Sequence, residues 1–308
     1  MRLALATATL VLSVSVGLAA QCGPDKLGTA RVASVGTQGG LFVGLKTYPH
    51  SIPLADHEVI LTFDDGPTAE FTPKVLDALK DQCVRATFFE IGRNAAALPA
   101  LARREVTDGH TVAFHTWSHP QATMRFIPEA DAKADILKGM IAVEKAAYHQ
   151  SFPSGEPTDL KALKLHAPFF RYPGFADTPA LNDWLASNNV GVFGTDLWAS
   201  DWIPQKPEAE LKLVMDRLAK NGHRGMLLLH DSHPWTATMV PMLLTRLKTD
   251  GYHIVDIVPG PGTGPTEPSP PGWSSETARI LAHFKPRTEK HASHGSGAAT
   301  PAENSPKG

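Results

Sequence analysis

At residues 59–67 the chain reads VILTFDDGP. The apolar, β-branched run 59–61 is typical of a buried strand, and Gly66-Pro67 ends it. Two adjacent carboxylates, Asp64 and Asp65, therefore lie where a strand becomes a loop. Neighbouring side chains of a strand point to opposite faces, but a break at Gly66-Pro67 would let both carboxylates aim at one cleft. A divalent metal would relieve their repulsion and leave one of them free to act as a base. For these residues alone, a solvated turn is the simpler alternative.

Strand-like and helix-like patterns alternate along the chain after this stretch. We predict strands at Ala86–Ile91, Thr111–Phe114, Phe169–Tyr172, Val190–Gly194, Gly225–His230 and Tyr252–Val258. We predict helices at Thr72–Lys80, Leu98–Arg104, Pro128–Tyr148, Pro179–Asn188, Glu208–Lys220 and Thr236–Asp250. Such alternation favours parallel strands joined by helical crossovers, and six or more units favour a barrel-like α/β fold over an open sheet.

The two ends of the chain differ from this regular part. Residues 1–20 carry one early positive charge, Arg2, followed by small and apolar residues, which predicts a secretory signal peptide. An uncleaved membrane anchor and a lipoprotein modified at Cys22 are the alternatives. Residues 21–56 are rich in Gly, Thr, Ser and Pro and predict an irregular lead-in, with one short strand near Leu41–Leu45. Residues 57–259 form the predicted catalytic domain, and residues 260–308 a disordered tail rich in Pro, Gly and Ser. Within this tail, Ser275–Phe284 is a candidate short helix.

Composition restricts the class of partner. The 308 residues carry a formal net charge of -2 and no dominant basic block, which argues against nucleic acid as the main partner. We expect an exported, monomeric protein, periplasmic or secreted, without a membrane domain in the mature chain. The chain has two cysteines, Cys22 and Cys83. An exported protein can join them in a disulfide, and a buried Cys83 beside a free Cys22 is the alternative.

Polar residues collect where the predicted strands end. In parallel α/β barrels, active sites lie at the carboxyl ends of the strands. His115 and His119 follow the strand Thr111–Phe114 and are four residues apart. A helical turn would place both imidazoles on one side, and Asp65 would complete a His-His-carboxylate metal site with positions open for water and substrate. His230 and Asp231 follow another apolar strand in the same way.

Five motifs in this chain resemble those of the polysaccharide deacetylases, the NodB-like domains of carbohydrate esterase family four. They occur in the family's order between residues 57 and 258. The motifs are TFDDG at 62–66, HTWSH at 115–119, Arg171-Tyr172-Pro173, Asp201-Trp202 and Leu228-Leu229-His230.

The resemblance implies a distorted parallel (β/α) barrel and a divalent metal, usually zinc, with cobalt as a substitute. It implies hydrolytic removal of acetyl groups from N-acetylglucosamine in a chitin-like glycan or peptidoglycan. The residue roles carry over motif by motif: Asp65, His115 and His119 as metal ligands, Asp64 as general base, His230 as general acid, Arg171 orienting Asp64, Asp201 tuning His230, and Trp202, Tyr172 and Pro173 contacting the substrate.

The chain departs from the family pattern at two places. Trp198 stands where an aspartate usually precedes the Asp-Trp pair by three residues, and the nearby Asp196 is out of register. Gly174 separates Pro173 from the aromatic Phe175. Both departures bear on specificity more than on the reaction. An O-acetyl polysaccharide esterase of the same mechanism and a non-catalytic glycan-binding protein are the alternative functions, and the intact catalytic motifs argue against the second.

Overall fold

The structure is a computed structural model, and it describes residues 22–120 and 124–283. The predicted signal peptide and the end of the predicted tail lie outside the described residues. The strands, in chain order, are β1 (Thr29–Thr37), β2 (Leu41–Val43), β3 (His50–Ser51), β4 (Glu58–Asp64), β5 (Thr87–Glu90), β6 (Thr111–Phe114), β7 (Phe169–Phe170), β8 (Gly191–Phe193), β9 (Leu197–Trp198), β10 (Gly225–His230), β11 (His253–Gly260), β12 (Thr263–Gly264) and β13 (Glu267–Pro268). The helices are α1 (Thr72–Asp81), α2 (Gly92–Ala97), α3 (Pro99–Thr107), α4 (Glu129–Tyr148), α5 (Pro179–Ser187), α6 (Pro207–Lys220), α7 (Pro234–Thr249) and α8 (Glu276–Ala282).

The central feature is a parallel sheet that curls into a nearly closed barrel. Its strands follow the order β9-β10-β4-β5-β6-β7-β8-β2, with every one of these pairs parallel. A backbone hydrogen bond links the two ends of this order: Lys46 N, just after β2, donates to Thr195 O, just before β9 (2.8 Å). The predicted α/β barrel is therefore confirmed.

The side-chain alternation of β4 explains how the first carboxylate reaches the mouth of the barrel. Val59, Leu61 and Phe63 belong to a core formed with α1 and α7 outside the sheet. Ile60 belongs to a second core inside the barrel. Because side chains two residues apart share a face, Asp64 lies on the same inward face as Ile60, at the strand's carboxyl end.

The N-terminal stretch differs from the irregular lead-in that we expected. β1 pairs in parallel with β11, and β2 pairs with β8 inside the barrel sheet. β2 confirms the short strand predicted near Leu41–Leu45. β1 escaped prediction because small residues dominate it, so that only Ala33 and Val35 mark its buried face. Its partner strand lies more than two hundred residues away along the chain, where no local pattern reveals it.

Residues 260–283 also differ from the disordered tail that we expected. β12 pairs with β1, β13 pairs with β3, and α8 lies beside the barrel mouth. Trp273 Nε1 donates a hydrogen bond to Leu45 O (2.6 Å), and Glu276 forms an ion pair with Lys46. The composition is that of a linker, but these contacts to the N-terminal stretch hold the segment in place.

A disulfide joins Cys22 to Cys83 (S–S 2.03 Å), which answers the question that the cysteine count left open. It ties the start of the described chain to the turn after α1. Among the described residues, none of the helices combines the length and the apolar character that a membrane span requires.

Candidate metal and catalytic site

Asp65, His115 and His119 converge at the mouth of the barrel. Oδ1 of Asp65 lies 3.5 Å from Nε2 of His115 and 3.4 Å from Nε2 of His119. One ligand atom from each of the three residues lies within 4.8 Å of the others. His115 Nδ1 lies 2.8 Å from the carbonyl oxygen of Arg171. Donation from Nδ1 to that carbonyl leaves the Nε2 lone pair facing Asp65, which is the tautomer that a metal ligand needs.

The backbone around these ligands adopts left-handed conformations. Asp65, Thr116 and His119 have φ values of 74°, 65° and 48°. Such values are uncommon outside glycine and unfavourable for a β-branched residue such as Thr116. The turn at Asp65 itself, rather than the expected break at Gly66-Pro67, brings the second carboxylate into the same cleft as the first. Strain of this kind collects at functional sites.

The segment 115–119 is a bend instead of the helical turn that we considered. His119 N donates to Thr116 Oγ1 (3.0 Å), which closes the bend, and the ring centroids of His115 and His119 lie 5.1 Å apart. A bend of the backbone therefore brings the two imidazoles together, and not the helical turn that their spacing suggested.

Two polar residues that sequence reasoning missed support this loop geometry. Asn94 in α2 donates from Nδ2 to the carbonyl oxygen of Asp65 (2.9 Å). Asp135 in α4 accepts at Oδ2 from the backbone N–H groups of Trp117 (3.2 Å) and Ser118 (3.3 Å). Both lie in helices with no motif around them, so only the folded structure identifies their role.

Asp64 is held by a buried arginine inside the barrel. Arg171 is fully buried, and its Nη1 lies 2.6 Å from Asp64 Oδ1. Its other donors bond to Thr62 Oγ1 (2.9 Å) and to the carbonyls of Phe193 (3.2 Å) and Gly194 (2.9 Å). Burial lowers the pKa of Arg171, and the adjacent Asp64 charge opposes that effect. This ion pair occupies Oδ1 and leaves Oδ2 facing His115 Nε2 at 3.9 Å.

His230 ends β10 beside Asp64 of the neighbouring strand β4, and it is held by Asp201. His230 Nδ1 lies 2.8 Å from Asp201 Oδ1. The second carboxylate oxygen of Asp201 accepts from His230 N (2.6 Å) and from Thr236 Oγ1 (3.0 Å). Burial works against a charged imidazole here, but Asp201, followed by Asp65 and Asp64, raises the pKa of His230 to about 10. His230 is therefore poised as a proton donor, with Nε2 4.0 Å from Asp65 Oδ2.

These residues open into a cavity of about 410 Å³ with largely apolar walls. The predicted substrate residues Tyr172, Pro173 and Trp202 all line it, whereas Arg171 and Asp201 lie behind the wall. The lining consists of Asp64, Asp65, His115, His119, Pro120, Tyr172, Pro173, Gly174, Phe175, Trp198, Trp202, Leu228, His230, Thr277, Ile280 and Leu281. The last three come from α8, which lies within the short helix predicted at Ser275–Phe284.

The residues at both departures from the family pattern line the cavity, whereas the nearby Asp196 does not. Trp198 and the Gly174-Phe175 pair face the cavity. Asp196 is buried away from it and accepts from Leu45 N (2.9 Å) and Met226 N (2.8 Å). Asp196 therefore holds the end of the N-terminal stretch against the barrel, and it does not replace the displaced aspartate of the motif.

Comparison with known proteins agrees with this geometry. The sequence profile of the family described as polysaccharide deacetylase matches residues 52–158. A peptidoglycan-N-acetylglucosamine deacetylase of Bacillus cereus is 52% identical over 216 residues, which cover 68% of this chain and 70% of that protein. The chain belongs to the polysaccharide deacetylase family.

Two more distant relatives are less informative. One is much longer than this chain, and the other is similar enough only to show a common fold. A peptidoglycan-N-acetylglucosamine deacetylase of Listeria monocytogenes is 32% identical over 200 residues, which cover 65% of this chain and 38% of that protein. The chain thus spans well under half the length of that relative. The solved structure of a Bdellovibrio bacteriovorus peptidoglycan deacetylase superposes with a TM-score of 0.63 at 24% identity, over 77% of this chain and 61% of that one. At that identity the likeness shows the shared fold.

The ligand group of this polysaccharide deacetylase family member fits a divalent metal. Oδ1 of Asp65 is buried, and among the described residues it has no hydrogen-bond partner. Burial lowers the pKa of His115 to about 4, so that its imidazole is neutral and able to ligate at neutral pH. Two imidazoles and one carboxylate are a donor set suited to zinc or cobalt.

Proposed function

We propose that this chain is a metal-dependent hydrolase that removes acetyl groups from N-acetylglucosamine units of a glycan. The proposal rests on the convergence of Asp65, His115 and His119 at one point. Two ion pairs lie beside them: Asp64 with Arg171, and His230 with Asp201. The names of the relatives from Bacillus cereus and Listeria monocytogenes support peptidoglycan as the source of the glycan.

In this proposal Asp65, His115 and His119 hold the metal, with zinc the expected ion and cobalt a substitute. When bound, the metal polarises the amide carbonyl and lowers the pKa of water to about 7. Asp64 takes the proton of the attacking water through its free carboxylate oxygen. Arg171 fixes the direction of that carboxylate, because the guanidinium is buried and pairs with Asp64 Oδ1.

The leaving nitrogen needs a proton because an amine anion is a poor leaving group. His230 supplies that proton from Nε2, and Asp201 holds the imidazole by its Nδ1–H. The reaction requires no nucleophilic serine or cysteine, since water attacks directly. Both cysteines are committed to the disulfide and lie outside the cavity.

The wall of the cavity suits a sugar ring. Trp202, Tyr172 and Pro173 present apolar surface, and Trp198 lies next to Trp202 with ring centroids 5.7 Å apart. Aromatic faces pack against the C–H faces of sugars and exclude water from the reacting amide. We assign substrate contact to these residues.

We also propose that the protein acts outside the cytoplasm as a monomer, exported by residues 1–20. The Cys22–Cys83 disulfide supports this location because such bonds persist in oxidising compartments.

The test is mass spectrometry of N-acetylglucosamine oligomers after incubation with the mature chain and zinc, with Asp64→Asn as the control. Metal-dependent loss of acetyl groups that requires Asp64 supports the proposal. The alternative, an O-acetyl esterase, predicts a different result. The chain would bind metal and leave these oligomers and peptidoglycan unchanged, but it would release acetate from O-acetylated polysaccharide. Absence of both metal binding and turnover would point to glycan binding without catalysis.

A further inference from the structure

A second group of carboxylates lies beneath the catalytic turn. Glu90 ends β5, Glu105 lies in α3, and Asp231 directly follows β10. The side chains of all three are fully buried. One carboxylate oxygen from each lies within 4.8 Å of the others. We call these three residues the buried acidic triad. Three separate elements of the fold therefore bring their negative charges to one point.

The carboxylates of the triad have almost no polar partners. Five of their six oxygens, both of Glu90, both of Glu105 and Oδ1 of Asp231, are buried without a hydrogen bond from any described residue. Asp231 Oδ2 accepts from Thr72 Oγ1. Within residues 22–120 and 124–283, no lysine, arginine or histidine nitrogen forms an ion pair with the triad. Glu144, another buried glutamate, is paired with His166.

Three buried carboxylates this close together must be neutralised, either by protons or by a cation. A buried carboxylate without a partner costs several kcal/mol, and the cost rises when like charges are adjacent. Burial and then the neighbouring carboxylates raise the pKa of Glu90, and burial followed by the Asp231 charge raises that of Glu105. Such a cluster is satisfied either by protons or by a cation. The convergence of oxygens from three elements, all aimed at one another, is the arrangement by which proteins hold a cation.

The backbone closes tightly over the triad at Gly66. A Cβ added to Gly66 would lie 2.6 Å from Asp231 Oδ2 and 2.9 Å from Glu90 Oε1. The same turn carries the ligand Asp65 on its other side. The backbone of Glu90 accepts a hydrogen bond from His115 N (2.9 Å). The triad therefore lies directly behind the catalytic ligands, and the lining of the cavity contains none of its members.

We propose that Glu90, Glu105 and Asp231 form a second metal site, which takes a hard divalent cation of the Ca²⁺, Mg²⁺ or Mn²⁺ class. Oxygen-only carboxylate donors select these ions, whereas the two imidazoles of the first site select zinc or cobalt. The bound cation neutralises the buried charge and joins β5, α3 and β10 beneath the catalytic turn. The test of this site does not depend on the proposed reaction, because the experiment measures metal content and melting temperature and not acetate release.

The experiment measures the metal content of the full mature chain by elemental mass spectrometry. Zinc-loaded protein is dialysed against metal-free buffer and then against Ca²⁺, Mg²⁺ or Mn²⁺ singly. We expect one equivalent of zinc plus one equivalent of at least one of these cations. The same cation should raise the melting temperature, because a ligand that binds only the folded state stabilises it.

The decisive variant is Glu105→Gln, which keeps the shape of the side chain and removes one charge. It should lose the second equivalent and the cation-dependent rise in melting temperature while keeping the zinc. Glu144→Gln is the matched control, since Glu144 is an equally buried glutamate outside the triad, and it should keep both metals.

Two results would overturn the proposal: wild-type protein that takes up no second cation at millimolar concentration, or Glu105→Gln that retains it. The first result would mean that protons satisfy the triad. If Glu105→Gln does not fold, crystals of the wild-type protein soaked in Mn²⁺ decide by anomalous scattering. A peak between the three carboxylates supports the site, and a peak confined elsewhere rejects it.

Discussion

Two groups of acidic residues lie on opposite sides of the Gly66 turn, and their surroundings differ. In the catalytic group, Asp64 is paired with Arg171, and Asp65 faces two imidazoles at an open cavity. In the buried acidic triad, the carboxylates face only one another, closed off from the cavity. The chemistry of a carboxylate therefore follows from its partners and its access to solvent. We propose that the first group turns over a substrate and that the second holds a cation.

The largest effect is expected from removing a ligand of the catalytic group. His115→Ala should lose the zinc and reduce turnover by more than about 10³-fold, because both the Lewis acid and the activated water depend on that site. Metal analysis and acetate release measure the two effects together. His110→Ala serves as the control, since His110 is another buried histidine outside the cavity, and it should keep the zinc. Full zinc occupancy in His115→Ala would remove His115 from the ligand set.

The next effect separates the base from the ligands. Asp64→Asn should bind zinc normally and lower kcat by about 10²–10⁴-fold, the usual contribution of a positioned general base. Single-turnover acetate release at saturating substrate measures this loss. Asp256→Asn, at a buried aspartate of β11, is the matched control and should stay near wild type. Unchanged turnover in Asp64→Asn would show that another group accepts the proton.

A smaller effect with a characteristic pH signature is expected at Asp201. The acid His230 must be protonated to act, so activity falls as the pH rises through its pKa. Asp201→Asn removes the strongest charge that raises this pKa from its ordinary value of about 6.5. The alkaline limb of the kcat profile should therefore move to lower pH, with a loss of about 10²-fold at the optimum. If the alkaline limb does not move in Asp201→Asn, a group other than His230 causes it.

The smallest effect is expected at the wall of the cavity. Ile280 in α8 is half-exposed and lines the cleft. Ile280→Ala should raise KM for an N-acetylglucosamine oligomer about fivefold and leave kcat unchanged, since about 1 kcal/mol of apolar contact is lost. Steady-state kinetics measure this change. Val32→Ala is the control, because Val32 is equally exposed on β1 and lies outside the cleft. Equal KM values for both variants would exclude α8 from substrate binding.

The sequence predicted the parts of the fold that local patterns specify. The apolar run at 59–61 predicted the strand that ends at Asp64, and the apolar run Gly225–His230 is a strand with the expected bounds. Most other predicted strands and helices lie within a few residues of the observed ones. The motif residues meet at one mouth because parallel strands end on the same side of a barrel. The boundaries 57–259 of the catalytic domain stay a prediction.

What the sequence did not reveal depends on contacts between distant segments. β1 becomes a strand because β11 pairs with it, and α8 is held by Trp273 and Lys46. The left-handed φ of Asp65 is a property of the folded loop. Glu90 looks like an ordinary strand residue and Glu105 like an ordinary helix residue, and only the tertiary fold brings both to Asp231.

The most direct test of metal-dependent deacetylation is a zinc titration of chelator-treated protein, followed by acetate release from an N-acetylglucosamine oligomer. Acetate release should be absent without zinc, rise in proportion to added zinc, and saturate at one equivalent per chain. Asp64→Asn should bind the same equivalent and release almost no acetate. Full acetate release by metal-free protein, or a normal rate in Asp64→Asn, would contradict the account.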